Sequence, residues 1–390
     1  MTALPLRVLD VAPGTDGVTA ITAALRARFE DQGDPFAPVP AVSRHVTTGY
    51  ADLVRAAIHP EEPVAHADAA VILATSGSTG DPRGVTITRA NLRSAHAAAG
   101  QAVPRLASAP WVLALPATTI GGLVVVARAL LSDQPVHVLP SVGGARAFDP
   151  ADLARLPAHC AASIVPAQLS AILDHPAATA WLRDAPAVLV GGGRTPPALV
   201  DRAREAGIPI VLTYGMTETT GGCVYDGIAL PGMSVNLEED GRIRVRGPMV
   251  AAGYRDNATG SRVRFDGDAV LTADLGRWSD EHLEVIGRAD DVVVVNGVNV
   301  SPHAVEEALL ELPVVREAAV VAVPDDRQGA RLVAFAVCHE PVPPVDALVE
   351  WVAQRLGPAA RPDVRVATSL PRLPHGKIDR MSLLREAGAV

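Results

Sequence analysis

Between Val71 and Leu237 the chain alternates short β-branched runs with alanine-rich stretches, which restricts it to strand–helix units built on largely parallel sheets. The spacing predicts strands at Val71–Ala74, Trp111–Leu115, Val136–Leu139, Ala187–Val190 and Ile210–Leu212. It predicts helices at Ala90–Gln101, Leu123–Leu131, Pro150–Leu156 and Pro197–Ala206. Pro196 and Pro197 mark the start of the last of these, and Gly207 follows its end. From Gly241 to Ile286 the pattern changes to short strands broken by Gly and Asp, as in hairpins or a small barrel, and Gly287–Asp291 reads as a junction. Beyond it Val292–Val295 is a strand and Asn296-Gly297 a hairpin turn. Ser301 then caps a helix that begins at Pro302 and runs through Leu312. The expected fold is α/β: a large N-terminal domain, 1–289, of parallel-type sheets flanked by helices plus a small barrel-like β region. A small α+β C-terminal domain, 290–390, follows it.

Composition removes several function classes. At 390 residues and 48% hydrophobic, the chain can build two or three packed units. A formal charge of -9 and a pI near 5.7 exclude a sequence-independent nucleic-acid binder, which needs a basic face to neutralise phosphates. The longest apolar stretch, Trp111–Leu131, is interrupted by Pro116, Gly121, Gly122 and Arg128. A spanning helix needs about 20 unbroken apolar residues, so no membrane insertion is expected. Met1–Pro13 lacks the basic start, long apolar core and small-residue cleavage site of a signal peptide. Cys160, Cys223 and Cys338 are odd in number and far apart, and define neither a disulfide framework nor a CxxC metal site. A cytoplasmic enzyme is expected, of oligomeric state unknown from the sequence. All but one of the 34 basic residues are arginine, and the exception is Lys377.

The strongest local motif is Thr75-Ser76-Gly77-Ser78-Thr79-Gly80-Asp81-Pro82-Arg83-Gly84-Val85, directly after an apolar run. Glycines let successive backbone N–H groups converge on an anion, the hydroxyls add donors, and Arg83 adds charge. Its glycine spacing matches neither GxxxxGK[ST] nor GxGxxG. Taken alone, it reads either as a phosphate loop or as a solvated turn of small residues.

The segment resembles the phosphate loop of the adenylate-forming superfamily of acyl-CoA synthetases, synthetase adenylation domains and luciferases. Further signatures follow in order. Tyr214-Gly215-Met216-Thr217-Glu218-Thr219 is similar to its second nucleotide motif, and Thr272-Ala273-Asp274-Leu275-Gly276 to its ribose-binding segment. Gly287-Arg288-Ala289-Asp290-Asp291 resembles its hinge, and Pro374-His375-Gly376-Lys377-Ile378-Asp379-Arg380 its catalytic-lysine loop. The resemblance implies ATP, Mg²⁺ and coenzyme A as cofactor and co-substrates and a small-molecule carboxylic acid as substrate.

Each residue also has its own chemistry. Glu218 is suited to hold Mg²⁺ against phosphates, or is a solvated glutamate. Asp274 can accept both ribose hydroxyls, or is a turn aspartate. Arg288 reaches ribose or phosphate, or pairs with its aspartate neighbours. Gly191-Gly192-Gly193 lets adenine approach the backbone, or is a flexible turn. Lys377 stands where the superfamily has its catalytic lysine. Chance placement of the single lysine there is about a one-in-34 event. A compact ammonium can bridge the attacking carboxylate and the α-phosphate, where a guanidinium fits differently. Arg83 replaces the superfamily's usual lysine and keeps its charge. The resemblance also implies that the small domain is mobile and turns about Asp290.

Gly215–Gly227, Ser163–Leu169 and the early phosphate loop resemble the o-succinylbenzoate-CoA ligases of menaquinone biosynthesis. The implied acid pocket comprises Thr118, Thr119, Gly121, Gly122, Ser163 and Gln168. Such ligases commonly carry histidine at the Thr118/Thr119 segment, and threonine supplies no positive charge. Another aryl or acyl acid, a carrier protein as acceptor, and an inactive nucleotide-binding homologue remain alternatives.

Overall fold

The computed structural model describes residues 3–43, 46–75, 82–144, 146–256, 263–289, 292–325, 327–373 and 378–388. Five parallel strands, Val136–Val138, Trp111–Leu113, Ala161–Ile164, Val188–Val190 and Ile210–Met216, lie side by side in that order. The antiparallel strands Gly221–Tyr225 and Ile228–Ala229 extend this seven-stranded sheet at one edge. A five-stranded sheet precedes it: Arg7–Val11, Phe36–Pro40 and Ala69–Ala74 are parallel, Gly84–Thr88 is antiparallel to the last, and Gly253–Tyr254 closes the edge. The expected short strands after Gly241 form a third, antiparallel sheet that includes Arg242–Arg246, Ala269–Ser279 and His282–Arg288.

Local sequence explains most element ends. Thr88 caps the helix Arg89–Ala102 in a reciprocal arrangement with Asn91. Ser301 caps Pro302–Leu310 by accepting the Ala304 N–H. Asn296 and Gly297 both have positive φ, 51° and 80°, as a two-residue hairpin requires. Three expectations change in type or by more than two residues. Pro150–Arg155 is a 3₁₀ helix, Ile120–Leu131 begins a turn earlier than Leu123, and the strand from Ile210 continues to Met216. Pairing with Gly221–Tyr225 carries that strand past the point where its apolar run stops.

The principal apolar cluster spans Val11 to Leu283. Two further clusters lie wholly beyond it, from Val295 to Val364 and from Ala319 to Ala387, around the strands Val315–Asp325, Gly329–Cys338 and Asp363–Val366. Among the described residues no helix is long and apolar enough to cross a membrane.

Gly215 faces Gly222 across the antiparallel pair, and a Cβ there would overlap the Gly221 carbonyl. Gly215→Ala is therefore expected to cost about 1–3 kcal/mol. A lower urea midpoint at unchanged slope checks it.

Candidate active site

The three sheets of the N-terminal part meet where the predicted residues gather. From the first sheet, the strand pair Ala69–Ala74 and Gly84–Thr88 brings Thr75 and Arg83 together. Thr75 N–H donates to the Arg83 carbonyl (2.8 Å) and Arg83 N–H donates to Thr75 Oγ1 (2.9 Å). Ser76, Gly77, Ser78, Thr79 and Gly80 lie outside the described residues, as do Asp290 and Lys377. Arg83 Nε donates to both Asp256 oxygens (3.0 and 3.2 Å), Nη2 adds a further bond to Asp256, and the guanidinium lies 3.4 Å above the Tyr254 ring.

The second sheet supplies Glu218 and Tyr214. Strand Ile210–Met216 ends in the one-turn 3₁₀ helix Thr217–Thr219, fixed by Met216 N–H donating to Thr219 Oγ1 (2.9 Å). The turn buries Thr217 and Glu218, and Tyr254 Oη donates to Glu218 Oε1 at 2.7 Å. Burial pushes the Glu218 carboxyl above its ordinary value, and the Tyr254 hydroxyl opposes that rise. Tyr254 engages one oxygen of the carboxylate, a donor type that fits Mg²⁺.

The third sheet supplies Asp274 and Arg288, which face each other across paired strands. Asp274 Oδ2 accepts from Tyr214 Oη (2.9 Å) and Oδ1 lies 3.5 Å from Arg288 Nη1. Burial and the neighbouring Asp274 push the Tyr214 hydroxyl well up, so it stays a donor.

Other predicted residues serve the backbone. In the segment 191–193, Gly191 packs where a Cβ would overlap Thr213 Oγ1, Gly192 has φ +76°, and the space beside Gly193 is open. Gln168 donates to the Ala114 carbonyl (3.0 Å) and accepts from Val165 N–H (3.1 Å), so both ends of its amide brace strand exits. Thr119 Oγ1 donates to the Pro116 carbonyl at 2.8 Å, closing the turn before the helix. Thr118 is half-buried beside it. Added Cβ atoms at Gly121 and Gly122 would press on Leu115 and Pro116, so these glycines let the helix start against that turn. Ser163 is half-buried on the parallel strand Ala161–Ile164.

The model described as AMP-binding enzyme matches residues 18–255, more than half of the chain, and that described as AMP-binding enzyme C-terminal domain matches 304–377. The chain belongs to the AMP-binding enzyme family. It is 40% identical over 330 residues to a protein of Mycobacterium tuberculosis named probable 2-succinylbenzoate–CoA ligase, covering 82% of this chain and 84% of that one. It is 35% identical over 357 residues to a sulfoacetate–CoA ligase of Cupriavidus necator, covering 82% and 67%. Its fold matches Bacillus subtilis o-succinylbenzoate CoA synthetase in complex with OSB-AMP: TM-score 0.71, 24% identity, covering 97% of this chain and 88% of that one.

Sequence reasoning did not single out Tyr254, Asp256 or a second charged cluster. Arg194, directly after the three glycines, pairs with Glu307 on the helix Pro302–Leu310. His303 lies between Glu307 (3.6 Å) and Glu306 (3.4 Å). Buried Glu306 accepts from Val320 N–H (2.7 Å) and forms an ion pair with Arg380 Nη2 (2.7 Å), where Arg380 opens the final helix three residues after Lys377. Burial pushes the Glu306 carboxyl up, but Arg380, His303 and the Val320 N–H outweigh it and hold the group below its ordinary value.

A depressed carboxyl contributes stability that is present above the ordinary glutamate value of about 4.3 and is lost as pH falls through the folded one. Glu306→Gln is expected to cost about 1–3 kcal/mol at neutral pH, less than a fully buried pair because Arg380 is about one-third exposed. Its Tm should fall less than that of wild type between about pH 5 and about pH 3. Scanning calorimetry across that range checks both.

Proposed function

We propose that the chain activates a carboxylic acid with ATP to give an acyl-AMP and pyrophosphate, then transfers the acyl group to coenzyme A, with o-succinylbenzoate as the acid. The convergence of Arg83, Glu218 and Asp274 at the junction of three sheets carries the adenylation reading. The acid is taken from the name of the relative at 40% identity.

The acid's carboxylate oxygen attacks the α-phosphorus, and the bond to the bridging oxygen breaks as pyrophosphate departs. Arg83 and Lys377 stabilise the charge that builds on the phosphates, without a covalent enzyme intermediate. Asp274, held by Tyr214 and Arg288, would accept the ribose hydroxyls. Glu218 would hold Mg²⁺, which supplies charge neutralisation on the leaving phosphates. Residues 191–193, which carry no side chains of their own, offer the adenine a backbone edge. The unit 290–390 is assigned as the mobile domain: turning about Asp290, it withdraws Lys377 and admits the pantetheine thiol. The thiol sulfur then attacks the acyl carbon and AMP leaves. Three unpaired cysteines, two of them buried and with Cys223 pushed up to about 12 by burial, suit a reducing cytoplasm.

A second reading keeps the chemistry and changes the acid. Thr119, where such ligases commonly carry histidine, spends its hydroxyl on Pro116, and a sulfoacetate–CoA ligase is also among the relatives.

Purified protein with ATP, Mg²⁺ and o-succinylbenzoate should release pyrophosphate, and should form a thioester only when coenzyme A is added. Release with sulfoacetate instead would replace the acid, and silence with every acid tested would sink the adenylation reading. Lys377→Ala should lower adenylation by about 10²–10³-fold. Asp274→Ala should lower kcat/KM for ATP by about 10–100-fold, the value of a hydrogen bond to a charged group.

A further inference from the structure

Tyr254 touches two of the proposed catalytic groups at once. Its hydroxyl donates to Glu218 Oε1 at 2.7 Å, and its ring lies 3.4 Å beneath the Arg83 guanidinium. The ring itself is fixed from two directions. Tyr254 pairs with Val85 in the first sheet, and its ring meets Phe265 edge-on at 5.0 Å and 74°. Asp256, two residues on, takes Nε and Nη2 of Arg83. Among the described residues Nη1 remains buried without a hydrogen-bond partner. A buried cationic N–H left unpaired is costly, and an anionic oxygen brought by a ligand is what satisfies it.

This arrangement needs a planar fork. A guanidinium can lie flat on a ring while two of its nitrogens engage one carboxylate edge-on and the third points elsewhere. An ammonium has no plane to stack and no fixed third direction. The site is thus built for arginine at 83, although lysine is usual in the superfamily.

Resting on the adenylation reading, we propose that Tyr254 is a positioning residue: its ring and Asp256 aim Arg83 Nη1 at the nucleotide phosphates, and its hydroxyl sets the orientation of Glu218. The two ends of one side chain thereby couple the phosphate-loop cation to the cation-binding carboxylate.

Two measurements separate the two ends. Calorimetric binding of ATP in EDTA, with no acid present, reads the Arg83 end. The Mg²⁺ concentration for half-maximal pyrophosphate release reads the Glu218 end. Tyr254→Phe keeps the ring and should bind metal-free ATP as wild type does, while its Mg²⁺ requirement rises about tenfold and kcat falls. Tyr254→Leu should also weaken metal-free ATP about tenfold. Arg83→Lys and Asp256→Asn should reproduce that loss, and they carry the test from the other side of the contact if Tyr254→Leu melts early. Wild-type ATP binding in folded Tyr254→Leu, or in both Arg83→Lys and Asp256→Asn, overturns the proposal, as does a wild-type Mg²⁺ requirement in Tyr254→Phe. A wild-type protein that binds ATP but activates no acid would remove the proposed function while the binding arm still decides the role of Tyr254.

Discussion

A carboxylate cannot be buried without compensation, and much of the site follows from how Glu218 is compensated. Its charge sits at the end of the second sheet, and the hydroxyl that meets it comes from the edge strand of the first, Gly253–Tyr254. The segment leading to that strand is held by the second sheet's own turn: Ala251 N–H donates to the Glu218 carbonyl (2.9 Å) and Thr220 Oγ1 donates to the Met249 carbonyl (2.7 Å). Asn91 adds bonds to the Pro248 and Val250 carbonyls (2.8 and 2.9 Å). The third sheet is tied in by Tyr214 and Asp274. Sheet assembly and site assembly thus use the same bonds. A change that loosens one sheet against another misplaces a functional group, and the reverse also holds.

The sequence disclosed what short-range physics determines. The alternation of β-branched and alanine-rich runs gave the parallel strands, and Asn296-Gly297 and Ser301-Pro302 marked a turn and a cap that the structure contains. The first 70 residues gave no comparable reading, yet they supply two parallel strands of the first sheet, Arg7–Val11 and Phe36–Pro40. Glu218 and Asp274 were singled out because short motifs surround them. Tyr254 and Asp256 were not, because their meaning lies in contacts with Glu218, 36 residues away, and Arg83, 173 residues away. Gln168, Thr119 and Gly122 show the converse. Each stands on a segment where a pocket is expected, and the structure gives each work on the backbone. A residue type suited to a ligand is equally suited to a turn, and only the fold says which contact it makes.

The charge pattern bears on the same point. All but one of the 34 basic side chains are arginine, so the composition favours guanidinium wherever geometry tolerates it. At 83 the surroundings hold a guanidinium on every side that can be seen: a ring below, a carboxylate at the edge, and one nitrogen left over. Arginine also takes Glu306 at 380 and Glu307 at 194, both charge-assisted contacts in which a planar fork performs well. Lys377 is where that preference stops. In the proposed mechanism, a residue that reaches between an attacking carboxylate and a phosphate, and is withdrawn before a thiol arrives, is served by a slim point charge on a flexible stem rather than by a stacked plane. On that proposal arginine at 83 and lysine at 377 express one rule: the fixed cation is the planar one, and the cation assigned to move is not.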